Sequence, residues 1–237
     1  NTEAFEREKN NFLSVYPNSN LKTTLSNLST NFYIESGDTE KAIEALDKSK
    51  ANTDDADVKE NNTIKIIGLK LEKKDYKDME KYLGEISDPE ERAYYSAQYY
   101  AQKKDPKLVK EFETLLKSEK YKAYASKALG DYYFDKNDLA KSKKYYGTHV
   151  SVNKNPDEYV LYRLGQANEK ENNLKMALAD YKLVYEKKGK LAEDAMLRAA
   201  EIYDRQENNV EAEKLFTKLY ATKGNKDLKA YSIEKLI

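Results

Sequence analysis

Residues 131–146 read DYYFDKNDLAKSKKYY. Two tyrosine pairs, Tyr132-Tyr133 and Tyr145-Tyr146, stand on either side of an Asn137-Asp138 step. The rings are either binding surface or the packing code of a repeat. The step between them reads as a helix start, because an Asp or Asn side chain accepts hydrogen bonds from the free N–H groups of a first helical turn. Similar polar steps, each followed by an apolar-periodic run, occur at Gly37-Asp38, Lys74-Asp75, Lys104-Asp105, Asn172-Asn173 and Asn208-Asn209. Their second members are 37, 30, 33, 35 and 36 residues apart, by subtraction of successive positions. A period near 34 is that of stacked helical hairpins, a longer first helix followed by a second.

Other signals agree. Asp88-Pro89-Glu90-Glu91 and Asn155-Pro156-Asp157-Glu158 read as starts of first helices. Asp88 and Asn155 are the expected caps, Glu91 and Glu158 the expected capping-box partners, and Asp105-Pro106 opens a second helix in the same way. Ala177, Tyr181, Val184 and Tyr185 recur at helical spacing, as do Ala212, Leu215, Phe216 and Leu219. Strand-like alternation is not sustained anywhere, and the chain is expected to be all-α.

Composition narrows the function classes. Charged residues make up 35% and hydrophobic residues 39% of 237, yet 21 Tyr and 6 Phe supply apolar area enough to fold. With 42 basic and 42 acidic residues the net charge is zero, so no nucleic-acid footprint is expected. Eight Gly and four Pro leave little for phosphate-cradling loops, and no such motif occurs. The absence of Cys excludes disulfides and thiolate chemistry. No run of about 18 apolar residues is present, so direct membrane insertion is not expected. No signal peptide is recognisable, and a start at Asn1 that enters a helical pattern at once suggests a mature or trimmed piece of a longer product.

The repeats resemble tetratricopeptide (TPR) repeats. LYRLGQANEKENNLKMALADYKLVY matches through Leu161, Leu164, Gly165, Ala177, Tyr181 and Val184. AMLRAAEIYDRQENNVEAEKLFTKLY matches through Met196, Ala199, Ala200, Tyr203, Ala212, Phe216 and Leu219. The opening stretch matches through Leu129, Gly130, Tyr133, Ser142 and Tyr146. The resemblance implies a right-handed superhelical solenoid of about six helix-turn-helix repeats, a single domain over 1–237. Residues 1–19 end a preceding repeat, 20–118 are degenerate repeats, 119–225 match well, and 226–237 form a capping or truncated helix. Leu228, Tyr231 and Leu236 or Ile237 would pack inwards from that last helix. Tyr133 and Tyr146 fall at packing positions, with Tyr132 and Tyr145 as partly exposed neighbours. FLSVYPNSNLKTT resembles the Tyr-Pro-x-Ser link of bacterial envelope TPR proteins of the BamD and Tol-Pal-associated type, through Tyr16, Pro17 and Ser19.

Catalysis finds no constellation. His149 is the sole histidine, and the repeat register gives it a packing role. The acidic stretch NTDDADVKENN lacks the turn glycine and terminal Glu of a calcium loop and reads as the start of a helix. Lysine-rich runs such as DLAKSKKYY read as solvated faces. A binding surface remains. Counting from Gly130, Gly165 and Ala200, the family's groove positions fall on Tyr124, Lys127, Asp131 and Phe134, then Tyr159, Tyr162, Gln166 and Glu169. The last hairpin adds Asp194, Leu197, Glu201 and Asp204, and the expected centre is Tyr124, Tyr159 and Tyr162. The family's clamp for peptide carboxylates is not expected, since Asp131 stands where an Asn is needed.

The resulting expectation is a non-enzymatic scaffold that binds a peptide or partner protein in its concave groove, without cofactor or metal and with self-association possible. A bacterial cell-envelope or periplasmic setting is expected, with the cytoplasm as the alternative. The competing reading is the helical superstructure of a larger enzyme, such as a cell-wall lytic enzyme, whose catalytic domain lies elsewhere.

Overall fold

The computed structural model describes residues 2–17, 19, 21–222 and 226–237. Among them are helices and no strands. The chain divides into two compact units, residues 1–111 and 112–237. Unit 1 holds α1 (Thr2–Val15), α2 (Lys22–Glu35), α3 (Thr39–Ala51), α4 (Ala56–Lys73), α5 (Met79–Gly84) and α6 (Pro89–Gln102). Helix α7 (Leu108–Leu115) spans the division. Unit 2 continues with α8 (Lys122–Asp135), α9 (Leu139–Val152), α10 (Glu158–Lys170), α11 (Leu174–Glu186), α12 (Ala192–Arg205), α13 (Asn209–Ala221) and α14 (Lys226–Leu236).

One local device makes the hairpins. At each break a residue in the left-handed region, φ between 55° and 76°, ends the first helix: Gly37, Lys74, Lys104, Asn137, Asn172 and Glu207. The next residue's N–H then reaches back to a carbonyl five positions earlier, as Asp38 to Tyr33 (2.9 Å), Asp138 to Tyr133 (2.9 Å) and Asn173 to Asn168 (2.8 Å). That is a Schellman closure. At Asp38, Asp138 and Asn208 the same residue also caps the second helix, whereas Asp75 and Asp105 cap the turn that precedes it. Asp138 Oδ1 accepts from Lys141 N at 3.2 Å, Asp75 from Lys77 N at 3.0 Å, and Asp105 from Lys107 N at 2.9 Å. Asn173 makes no such side-chain bond. One residue thus ends the first helix through its backbone N–H and, where it caps, starts the next through its side chain, which explains why the turn is so short.

The last break lies one residue earlier than its sequence pattern suggested. Asn208, not Asn209, accepts from Glu211 N at 3.4 Å, because Asn209 is already helical. The helix after Pro156 is capped by Asp157, which accepts from Tyr159 N at 2.9 Å, and not by Asn155. Glu158 closes no capping box there and accepts instead from Lys190 N at 3.0 Å. At α6 the expected cap holds, with Asp88 Oδ1 accepting from Glu90 N and Glu91 N at 2.8 Å each. The Asp88 N–H is taken by Glu60 of α4 at 3.3 Å, in place of the capping-box return from Glu91. The acidic stretch before α4 is a helix start, with Asp55 Oδ1 accepting from Asp57 N and Val58 N at 3.0 and 3.1 Å.

The two cores differ. Unit 1 packs Leu46, Ile66, Ile67, Leu71, Met79 and Leu83 around Tyr82 and Tyr99. Unit 2 packs rings against small residues. Gly130 lies against the ring of Tyr146, and a Cβ at Gly165 would come within 2.7 Å of Tyr181 Cε1. Ser142 Oγ donates to Gly130 O at 3.0 Å across the same close approach. Tyr145 is buried, not a half-exposed neighbour, and Tyr133 is only half-buried. Their rings stack at 5.6 Å, and Tyr145 OH donates to Glu113 at 3.1 Å, which covers Tyr145. From α14, Leu228 and Ser232 pack inwards, whereas Leu236 and Ile237 are exposed. His149 is buried, with Nδ1 2.8 Å from Ala123 O, a packing role as its register implied.

Candidate interaction surface

A buried tyrosine needs a partner for its hydroxyl. In unit 2 the first helices supply carboxylates. Tyr146 OH donates to Asp131 at 2.6 Å and Tyr181 OH to Glu169 at 2.8 Å, while Tyr231 OH lies 3.4 Å from Glu201. Burial, followed by the bond to the anion, drives the hydroxyls of Tyr146 and Tyr181 well above the usual phenol range. They remain neutral donors.

The second oxygen of these carboxylates meets a cation. Lys127 Nζ lies 3.0 Å from Asp131 Oδ2, and Arg205 from α12 reaches Glu169 Oε1 at 2.7 Å. Lys235 of α14 reaches Asp204 at 2.7 Å. Rings complete the lateral ties: Lys127 Nζ sits 4.4 Å from the centre of Tyr159, and Arg163 sits 4.5 Å from that of Phe134. Arg163 Nε donates to Tyr159 OH at 2.9 Å. The residues picked out by repeat register therefore tie α8 to α10, α10 to α12, and α12 to α14.

Their availability differs. Tyr124 is 40% exposed and meets Phe112 edge-on at 5.7 Å. Tyr159 and Tyr162 are half-buried, the latter tilted against Tyr181 at 5.6 Å. Gln166 is also half-buried, Leu197 packs on the core, and Asp194 is exposed. Phe134 offers no surface: it is 8% exposed, with Arg163 and Lys170 both over its ring. Lys127 is paired with Asp131 on the same helix.

Arg163, Arg198 and Arg205 were not among the expected site residues. Arg163 and Arg198 stand one 35-residue period apart, and Arg198 lies 4.0 Å from Glu201 on its own helix. The signal was present: arginine is scarce in this lysine-rich chain, at positions 7, 92, 163, 198 and 205. Its flat fork can stack on a ring and bond a neighbour together, which lysine cannot. Chemically the face offers hydrogen-bond donors and acceptors in balanced pairs, with ring edges between them. Among the described residues no group of three or more His, Cys, Asp or Glu is placed to hold a metal ion. No described helix is long and apolar enough to cross a membrane.

No protein-family model matches the chain, and no curated protein does. Among solved structures, the C-terminal part of a TPR repeat-containing protein from Cytophaga hutchinsonii aligns at TM-score 0.49 and 17% identity, over 88% of this chain and 98% of that one. The structure of pilF from Pseudomonas aeruginosa aligns at TM-score 0.57 and 15% identity, over 98% of this chain and 99% of that one. In fold, this chain of successive helical hairpins is similar to pilF along almost the whole of both.

Proposed function

We propose that this chain is a non-enzymatic protein-interaction scaffold that takes a peptide or a partner protein on the first-helix face of unit 2. The observation that carries the reading is the row of laterally tied side chains on α8, α10 and α12. It holds rings and both charge signs in fixed positions at the surface. Fixed rings are good anchors because little rotamer freedom is lost when a partner covers them. Paired charges set register and orientation more than affinity.

A bacterial cell-envelope setting is part of the proposal. It rests on the resemblance of the Tyr16-Pro17-Ser19 link to that of bacterial envelope TPR proteins. Helix α1 ends at Val15, Ser19 N donates to Tyr16 O at 3.1 Å, and Ser19 Oγ accepts from Leu21 N at 3.1 Å as α2 begins.

The test starts with cross-linking the purified chain in bacterial envelope extract and identifying what it captures. Affinity for that partner is then compared between wild type and Tyr124→Ala/Asp194→Lys, which alters exposed positions of the face. A loss of about tenfold or more, with helicity and thermal midpoint kept, supports the reading. Equal affinities remove this face as the site.

A further inference from the structure

Unit 2 contains a second surface feature that the first-helix face does not use. An open cleft of about 340 Å³ lies between α11 and α12, with Lys175, Leu178, Lys182 and Tyr185 on one side and Tyr203 and Gln206 on the other. On α12, Tyr203 is about 160° around the helix from Glu201, so the cleft and the first-helix face point in different directions.

The preceding hairpin shows why the cleft is open. With the 35-residue period, Leu178 corresponds to Lys143 and Gln206 to Glu171. Lys143 and Glu171 form an ion pair that bridges α9 and α10. In the next junction both partners are replaced, and the bridge is gone. Three further changes follow the same register: Ala140 becomes Lys175, Gly147 becomes Lys182, and Val150 becomes Tyr185. A bridged junction has thus become an unbridged one, with Lys175 and Lys182 in place of Ala140 and Gly147 and a ring in place of Val150.

Lys175 has no ion-pair partner among the described residues, and Lys182 has only a loose one, Glu186 at 3.7 Å, with both side chains more than half exposed. The two lysines are seven residues apart, two helical turns or about 10.5 Å along one face. Beside them Met176 and Leu183 repeat the same spacing, at 61% and 50% exposure. Such a stripe matches a helix lying along α11, which meets neighbours at every second turn.

We infer that this cleft docks an acidic amphipathic helix of a partner protein. Two of its carboxylates, seven residues apart, would meet Lys175 and Lys182, and an apolar side chain between them would enter against Leu178, Tyr185 and Tyr203. The inference is independent of the first-helix face.

The probe is a synthetic, end-capped helical peptide with Glu at positions i and i+7 and Leu at i+3 and i+4, labelled for fluorescence anisotropy. Saturable binding should weaken on the order of tenfold in Lys175→Glu/Lys182→Glu and return when the peptide's two Glu are exchanged for Lys. Both lysines are exposed, so the variant's circular dichroism should match wild type. Equal affinity of wild type for the Glu and Lys peptides overturns the inference. So does failure of the Lys peptide to restore binding to the folded variant, or no saturable binding of the Glu peptide up to about 1 mM. The Tyr124→Ala/Asp194→Lys variant should bind the Glu peptide as wild type does. A loss there would place the peptide on the first-helix face and overturn the cleft assignment.

Discussion

The two units solve the same packing problem with different residues. At five of the six breaks, the residue eight before the Asp or Asn and the residue eight after it are both buried where first and second helix meet. In unit 2 these positions hold Gly130 and Tyr146, Gly165 and Tyr181, and Ala200 and Phe216. In unit 1 they hold Thr30 and Leu46, then Ile67 and Leu83. All ten are buried. Glycine with a ring and isoleucine with leucine fill the gap between helices in complementary ways. What these hairpins share is the register, with one residue from each helix buried at the gap, not the residue at either place. Second-helix length does not follow the division: α3 of unit 1 has 13 residues, like α11 and α13 of unit 2, and α5 alone among these has only six.

Polar anchoring differs in part. In both units buried tyrosines donate to carboxylates, Tyr82 to Asp47 at 2.7 Å in unit 1 as Tyr146 and Tyr181 do in unit 2. In unit 1 a cation is buried as well: Lys70 is 5% exposed and its ammonium is held by Asp75, the residue that also closes α4 and caps the next turn. The comparison breaks first at this point. Asp75→Ala leaves a buried charge without its partner and should cost about 3 kcal/mol, because such a charge is neither solvated nor compensated. Asp138→Ala at the equivalent break loses a cap and an exposed pair with Lys141, about 1 kcal/mol. Chemical denaturation of both variants measures the gap. Equal losses would mean that Lys70 finds other solvation.

The second expected effect concerns the glycines. Gly130→Ala and Gly165→Ala drive a methyl into a buried ring and should each destabilise by about 1–3 kcal/mol. Gly68, exposed in the middle of α4, has open space where a Cβ would go. There Gly68→Ala should stabilise by about 0.5–1 kcal/mol through helix propensity alone. Thermal midpoints that shift in the same direction for all three would undo the volume argument.

The smallest effect has opposite pH signs in the two units. Lys70's hydrogen bond to Asp75 holds that carboxyl below its ordinary value of 3.8. Its stabilisation is therefore present above the unfolded value and is lost as pH falls through the folded one. In unit 2 burial pushes Asp180 up to about 6, against a partly offsetting bond from Asn168 Nδ2 at 2.8 Å. That raised value means Asp180 favours the fold when protonated, fully below pH 3.8, and loses the advantage as pH rises through about 6. Asp180→Asn should raise the unfolding midpoint at pH 7.5, and the gain should shrink towards zero by pH 4. A gain that does not vary with pH would place its cause outside the ionisation of Asp180.

Much of the fold was legible in the sequence because its signals are local. A capping Asp or Asn acts within four residues, and apolar periodicity within two turns, so the breaks, the hairpins and the all-helical class follow from short stretches. Where the sequence reading slipped, at the caps of α13 and α10 and at the capping box of α6, two neighbouring residues could each have made the same local bond, or a residue from another helix, Glu60, supplied it. The candidate face was legible only as positions. Repeat register placed Lys127, Asp131, Tyr159 and Glu169 on one side of their helices, but not whether those side chains are free or tied. That was decided between helices: Arg205 lies 36 residues from Glu169, and Arg163 lies 29 residues from Phe134. Sequence alone determined the helices and their period, since each depends on neighbours along the chain. Tertiary structure alone decided which rings are buried, which charges are paired and which junction stays open, because these depend on what the next helix brings within a few ångströms.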